Sequence, residues 1–247
     1  MICIEVEQKF CTSDLNKVQS KLIEMGFDAK KSVKFMDWYF DVPNQWTLCT
    51  QDCWLRFRHP SHAPNLGSWQ LKRGRRILDA SSSSSASTVY EEMEGDDAID
   101  VVESLLAGRR KDSADCAPND QTEPILEMDG YEVPQIPRIG NYGMQPFARI
   151  ETIRSSWNVD ITNHSYNDIT VDIDGTDYGY MVGEVETIVS SDDKIKSARE
   201  KVQKVITEIT GEECSGSSPA LGKLETYLME KRPEVHEACV SSGTMKG

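Results

Sequence analysis

One pattern recurs along this 247-residue chain: short segments carry apolar side chains at alternate positions and charged ones between them. Successive residues of a strand point to opposite faces, so Ile2, Ile4, Val6 and Phe10 share one side and Glu5, Glu7 and Lys9 the other. Trp54, Arg56 and Arg58 oppose Leu55 and Phe57 in the same way, and Gln70 with Lys72 opposes Trp69 and Leu71. Further on, Thr170, Asp172 and Asp174 alternate with Ile169, Val171 and Ile173, and Glu184 and Glu186 flank Val185. A single segment of this kind is an ordinary half-exposed strand with its polar side in water. The set resists that reading. Glu-x-Glu and Asp-x-Asp place like charges roughly 7 Å apart along a strand, which costs energy unless a cation neutralises them. Arg-x-Arg and Glu-x-Glu are also segregated onto different strands, whereas a solvent face usually mixes Thr, Ser, Lys and Gln. A closed barrel would gather these faces into one lumen and turn the apolar faces outward under helices.

The rest of the chain supplies the other parts. Val33 to Phe40, Val89 to Met93 and Phe147 to Trp157 read as further strands, and Asp41-Val42-Pro43-Asn44 and Pro60 to Gly67 as turns. On the strand near Ala148 to Ser155, Arg149 and Glu151 lie on one face and Thr152 and Arg154 on the other, so periodicity leaves the inward pair open. Ser13 is placed to cap a helix carrying Leu15, Val18, Leu22 and Met25, with Gly26 at its end. Other helices are expected near Ala98 to Ala107, after Ser190 or Ser191 with Ile195, Val202, Val205, Ile206 and Ile209 on one face, and around Leu221 to Glu230. Ser81 to Ser85 reads as a loop, residues 108–124 as a polar surface insertion, and residues 233–247, beyond the stop at Pro233, as a loose tail. The expectation is one α+β domain over residues 1–232, built on a large antiparallel sheet or barrel.

Net charge is −14, which argues against a general nucleic-acid coat. The excess is local, however. Residues 91–132 hold 14 acidic and 3 basic side chains, so the remainder is close to balance and an anion site elsewhere stays open. No apolar run approaches the roughly 18–20 residues of a membrane helix. Seven cysteines and an N-terminus without a basic flank or apolar segment point to a cytosolic chain without a disulfide framework.

The charged motifs, in order, resemble the CYTH or triphosphate tunnel metalloenzyme superfamily. They are Glu5-Val6-Glu7-Gln8-Lys9, Asp37-Trp38-Tyr39-Phe40-Asp41, Trp54-Leu55-Arg56-Phe57-Arg58, Trp69-Gln70-Leu71-Lys72, Thr152-Ile153-Arg154, Val171-Asp172-Ile173-Asp174, Gly183-Glu184-Val185-Glu186 and Lys223. Trp54 and the run Asp174-Gly175-Thr176-Asp177-Tyr178-Gly179-Tyr180 are most similar to the animal thiamine triphosphatases. The resemblance implies an eight-stranded antiparallel barrel forming a tunnel, with flanking helices. It implies metal-dependent hydrolysis of thiamine triphosphate, with Mg²⁺ or Mn²⁺ as cofactor. Lys9, Arg56, Arg58, Lys72, Arg154 and Lys223 are the implied triphosphate ligands, which turns Arg154 inward. Glu5, Glu7, Asp172, Glu184 and Glu186 are the implied metal ligands, direct or through water. Lys72 with Tyr39 is the implied proton-handling pair.

The chemistry suits these residue types. A triphosphate carries about four negative charges, and Arg forks hold phosphate oxygens bidentately. Mg²⁺ takes carboxylate, phosphate and water oxygens. Trp54 shares parity with Arg56, so its indole either stacks on a substrate ring or packs at the barrel mouth; Tyr39 has the same choice between chemistry and packing. Tyr90 and Glu92 share a face of another strand. Cys49, Cys53, His59 and His62 straddle the Arg-bearing strand and make a poor zinc site, and no Walker loop, dinucleotide glycine pattern or nucleophile elbow is present. The expected protein is a monomeric enzyme acting on a small triphosphate, without nucleic-acid or membrane partners. Inorganic tripolyphosphate or nucleoside triphosphates are the alternative substrates, adenylate cyclase chemistry is a further option, and a non-catalytic polyphosphate-binding module is the alternative class.

Overall fold

The computed structural model describes residues 3–11, 14–75, 87–112, 125–160, 164–211 and 220–245, with the side chains of 109–112 excepted. Eight antiparallel strands carry the architecture: β1 (Cys3–Phe10), β2 (Val33–Asp41), β3 (Cys53–Pro60), β4 (Ser68–Gly74), β5 (Thr88–Glu94), β6 (Gln145–Asn158), β7 (Ile169–Thr176) and β8 (Met181–Val189). Their spatial order is β7-β8-β1-β5-β4-β3-β2-β6, and β6 pairs again with β7, so the sheet closes on itself. Among the described residues five α-helices flank the barrel: α1 (Leu15–Glu24), α2 (Gly95–Asp112), α3 (Ile195–Thr210), α4 (Lys223–Lys231) and α5 (Pro233–Ser242).

The alternation read from the sequence explains why the sheet closes with its charges inside. Val6, Phe10, Val171, Ile173 and Val185 face outward and are buried under Val202, Val205, Ile206 and Ile209 of α3 and Val18 and Leu22 of α1. Leu55 and Leu71, with Trp38 and Phe40, meet Ala98, Ile99, Val102 and Leu106 of α2. The apolar stripes of the helices therefore remove the outer faces from water, at roughly 25 cal/mol per Å² of apolar surface. Gly183 has a specific task in this packing. A Cβ there would lie 2.2 Å from the ring of Phe10, so only glycine lets β1 and β8 approach with that ring between them.

Three expectations change. The cap of α1 is Asp14, whose carboxylate accepts from the Lys17 amide, while Ser13 lies outside the described residues. The acidic insertion begins later than residue 108, because α2 continues to Asp112; residues 113–124 and the serine run at 81–85 lie outside the described residues. The C-terminal segment is not a loose tail as far as Ser242. Pro233 opens α5 rather than closing the fold, since its fixed φ suits the first turn of a helix and its missing N–H is not needed there. Val235 and Cys239, one turn apart, are fully buried with Leu228, Phe147 and Ile150. Two short apolar residues over one turn are a weak helical signal in sequence; the barrel wall supplies the partner that makes the helix pack.

Candidate active site

Inside the barrel lies a cavity of about 680 Å³ lined by Glu5, Glu7, Lys9, Tyr39, Trp54, Arg56, Arg58, Lys72, Arg154, Glu184, Glu186 and Lys223. These are the residues named from sequence, with one exception. Asp172 shares the inner strand face but does not line the cavity: it is buried, its carboxylate accepts from Ser156 Oγ at 2.6 Å and is paired with Arg154. The strand register builds the rest. Lys9 sits opposite Glu184 and Glu7 opposite Glu186, which brings the two Glu-x-Glu pairs onto one wall. Tyr39 sits opposite Arg56 and Asp37 opposite Arg58, which starts the basic wall.

On the acidic wall, Lys9 and Lys72 lie among the carboxylates. Lys72 Nζ is 2.5 Å from Glu5 Oε2, is paired with Glu7, and approaches Glu92 at 3.7 Å. Lys9 is paired with Glu7 and is 3.1 Å from Glu184. Burial pushes Glu186 up to about 10, with help from the Glu5 and Glu184 charges. Burial and Glu184 also lift Glu7 to about 7, against the pull of Lys72. Glu184 stays well below the usual carboxylate range despite its burial, because Lys9 and Lys72 stand beside it. Lys72 is held well above the usual lysine range by Glu5 and Glu7, against the cost of burial, and so remains charged. Buried together, these carboxylates share protons and ammonium groups, and their oxygens are the donors in the cavity that could take a hard divalent cation.

On the basic wall the proportions reverse. Arg58 donates through Nε and Nη2 to both oxygens of Asp37, at 2.6 and 2.7 Å. Arg154 makes the same fork with Asp174, at 2.7 and 2.8 Å. Lys223, reaching in from α4, is 2.7 Å from Asp174 Oδ2. Despite burial, the guanidinium of Arg58 holds Asp37 far below its usual range. Burial drops Lys223 to about 8, opposed by Asp174 and Asp37. Arg56 Nε donates to Gln70 Oε1 at 2.8 Å, and Gln70 in turn donates to Glu94. Trp54 faces the lumen as its parity requires, with its indole N–H on Asp52 at 2.9 Å.

The structure places Tyr39 and Lys72 in different groups. Tyr39 lies against Arg56 on the basic side, and burial followed by the Asp37 charge raises its phenol. Lys72 is occupied by Glu5, Glu7 and Glu92. Sequence reasoning passed over Asp37, Asp174 and Phe35 as site residues. Parity carries a signal for all three, because residues 35, 37 and 39 share a face and Asp174 shares one with Asp172. Two phenols were also missed. Tyr178 Oη donates to the Lys223 carbonyl at 2.5 Å and Tyr180 Oη to the Leu221 carbonyl at 2.8 Å, so the β7–β8 turn secures the start of α4.

Comparison with known proteins agrees with this geometry. The CYTH domain family matches residues 3–217. A thiamine-triphosphatase of Homo sapiens is 28% identical over 237 residues, covering 95% of this chain and 88% of that protein. A thiamine-triphosphatase of Macaca fascicularis is 27% identical over 246 residues, covering 98% and 92%. The solved structure of a Pyrococcus horikoshii protein shares the fold, with a TM-score of 0.52 at 18% identity, covering 92% of this chain and 99% of that one.

Proposed function

The chain belongs to the CYTH domain family, and we propose that it is a divalent-metal-dependent triphosphatase that removes the terminal phosphate of thiamine triphosphate. The observation that carries this reading is the meeting of opposite charges in one bore: Arg58, Arg154 and Lys223 face a cavity whose other wall holds Glu5, Glu7, Glu184 and Glu186. The printed names of the two primate relatives support the choice of substrate.

The donor set fits Mg²⁺, with Mn²⁺ as a substitute. Among the described residues no three acidic side chains already converge as a cage. Mg²⁺ does not need one, since it keeps several waters and takes one or two carboxylates together with phosphate oxygens. Glu5, Glu7, Glu184 and Glu186 would hold it, and Asp172 would act indirectly, by fixing Arg154. When bound, the ion supplies charge neutralisation and an activated water for in-line attack at phosphorus.

The chain's own residues do the rest. Arg58, Arg154 and Lys223 bind the phosphate chain by charge-assisted bonds, each contributing roughly 1.5–3 kcal/mol. Asp37 grips one edge of the Arg58 guanidinium, while Arg154 is held by Asp174 at Nε and Nη2 and by Asp172 at Nη1. Arg56, steadied by Gln70 and Tyr39, extends the clamp toward Trp54, whose indole is positioned to stack on a thiazolium ring. Lys72 keeps its proton and neutralises charge that develops on the transferred phosphoryl group. Lys9 holds Glu7 and Glu184 in place through the turnover.

A broader triphosphatase is the second reading. It is favoured by the placement of the cations, which address phosphates and read no base. Initial rates of phosphate release from thiamine triphosphate, tripolyphosphate and ATP with Mg²⁺ test both. The proposal expects the highest kcat/KM on thiamine triphosphate. Equal values on all three would establish the broader enzyme, cyclic AMP from ATP would establish a cyclase, and binding without release would establish a polyphosphate-binding module. Ca²⁺, with longer bonds and looser geometry, is expected to support little turnover.

A further inference from the structure

Three of the substrate-facing cations surround one aromatic ring. Phe35 lies on β2 two residues before Asp37, is only 7% exposed, and shares a strand face with Asp37 and with Tyr39, which lines the cavity. The Arg58 guanidinium carbon is 4.1 Å from its ring centroid, Lys223 Nζ is 5.2 Å and the Arg154 guanidinium carbon 5.5 Å. Three carboxylates, Asp37, Asp172 and Asp174, partner the same three cations. The charges are matched in number, yet three cations of like sign are crowded together in a buried place.

A further carboxylate would hold them together more strongly, but it would also repel an incoming triphosphate and would have to be displaced. An aromatic face attracts cations without carrying formal negative charge, so it gathers them and stays out of the way of the anion. We infer that Phe35 is a positioning residue for triphosphate binding, whose π face holds Arg58, Arg154 and Lys223 assembled in the empty bore. Sharing one ring among three cations also makes the three act together: a change in the ring's charge distribution reaches all of them. Rigid placement of donors before binding lowers the ordering cost of association. The inference rests on the triphosphate-binding reading proposed above, and its test separates the two.

The experiment replaces Phe35 by mono-, di- and trifluorophenylalanine, introduced at a reassigned codon. These keep the ring's shape while withdrawing its negative face step by step. Binding of tripolyphosphate is measured by calorimetry without divalent ion, so that no turnover intervenes. Dissociation constants are expected to rise stepwise across the series, to a total of about tenfold. Phe35→Leu, which removes the face altogether, is expected to lose at least as much. In an Arg58→Met, Lys223→Met background, where the nearest two cations are gone, the fluorine series is expected to flatten, as a purely packing role would not require. Parent protein that does not bind tripolyphosphate overturns the functional reading itself. Parent that binds, with a flat fluorine series, overturns only the role of Phe35.

Discussion

On the wall formed by β1 and β8, the carboxylates Glu5, Glu7, Glu184 and Glu186 enclose the ammonium groups of Lys9 and Lys72. On the facing wall, built from β2, β3, β6 and β7, the cations Arg56, Arg58, Arg154 and Lys223 enclose Asp37, Asp172 and Asp174. Each wall carries its own sign in excess and a minority of the other. The difference lies in how the excess is tolerated. The acidic wall takes up protons, with Glu186 lifted to about 10 by burial and neighbouring carboxylates. Guanidinium groups cannot shed their charge, so the basic wall relies on bidentate carboxylates, an aromatic ring, and the one lysine that burial has brought to about 8. A buried site prepared for a cation and one prepared for a polyanion thus look alike as counts of charges and differ in which groups can give way.

The largest expected effect comes from removing the charge of the acidic wall. Glu184→Gln with Glu186→Gln should lower kcat by about 10²–10³-fold while tripolyphosphate still binds in calorimetry. Lost binding with intact kcat would reverse the assignment of the walls. On the basic wall, Arg154→Met should raise KM for tripolyphosphate by roughly 10–100-fold. The same change removes the guanidinium from buried Asp172 and Asp174, leaving them only Ser156 and Lys223 among the described residues, and urea unfolding should show a loss of about 3 kcal/mol. An unchanged midpoint would mean that the fork is not holding the wall together.

Trp54→Ala lies beyond either wall and sharpens the comparison by leaving both intact. It should cost thiamine triphosphate about tenfold in kcat/KM and tripolyphosphate much less, because only the former has a ring to stack. Equal losses would assign Trp54 to packing. The smallest effect is in pH. As Lys223 loses its proton near pH 8, KM for tripolyphosphate should rise a few-fold between pH 7 and 9, and Lys223→Arg should flatten that rise. The linkage signs of the two walls' anchors are opposite. Lys223 titrates below its unfolded value, so the unfolded chain holds more protons between the two and this group makes folding more favourable as pH rises from about 8 toward 10. Asp37 is depressed, so its contribution is full above the unfolded carboxylate value near 4 and fades on acidification toward its much lower folded one.

How much of this was legible in the chain follows from what periodicity encodes. A period of two assigns each side chain to a face, and that alone put Glu5, Glu7 and Lys9 together, and Arg56 with Arg58. It put Asp172 on the inner face but could not say whether its carboxylate would reach the cavity or be taken up by Ser156 and Arg154, because that choice lies in the rotamer and the neighbouring strand. On β6 both faces carried charge, so periodicity had no preference between Arg149 and Arg154. The register against β7, with Arg154 opposite Asp174, decided it. Phe35 hid for the converse reason, since an apolar residue on a charged face looks like a packing residue until three cations are found around it.

By itself, then, the sequence determined the two-faced strands, the helical stripes that cover them and the sign of each wall, because these depend on near neighbours in the chain. The closure of β6 onto β7, the seating of α5 after Pro233 and the delivery of Lys223 into the bore were decided by tertiary structure alone. Each depends on surfaces brought together from distant parts of the chain, and no local period records which distant surface a side chain will meet.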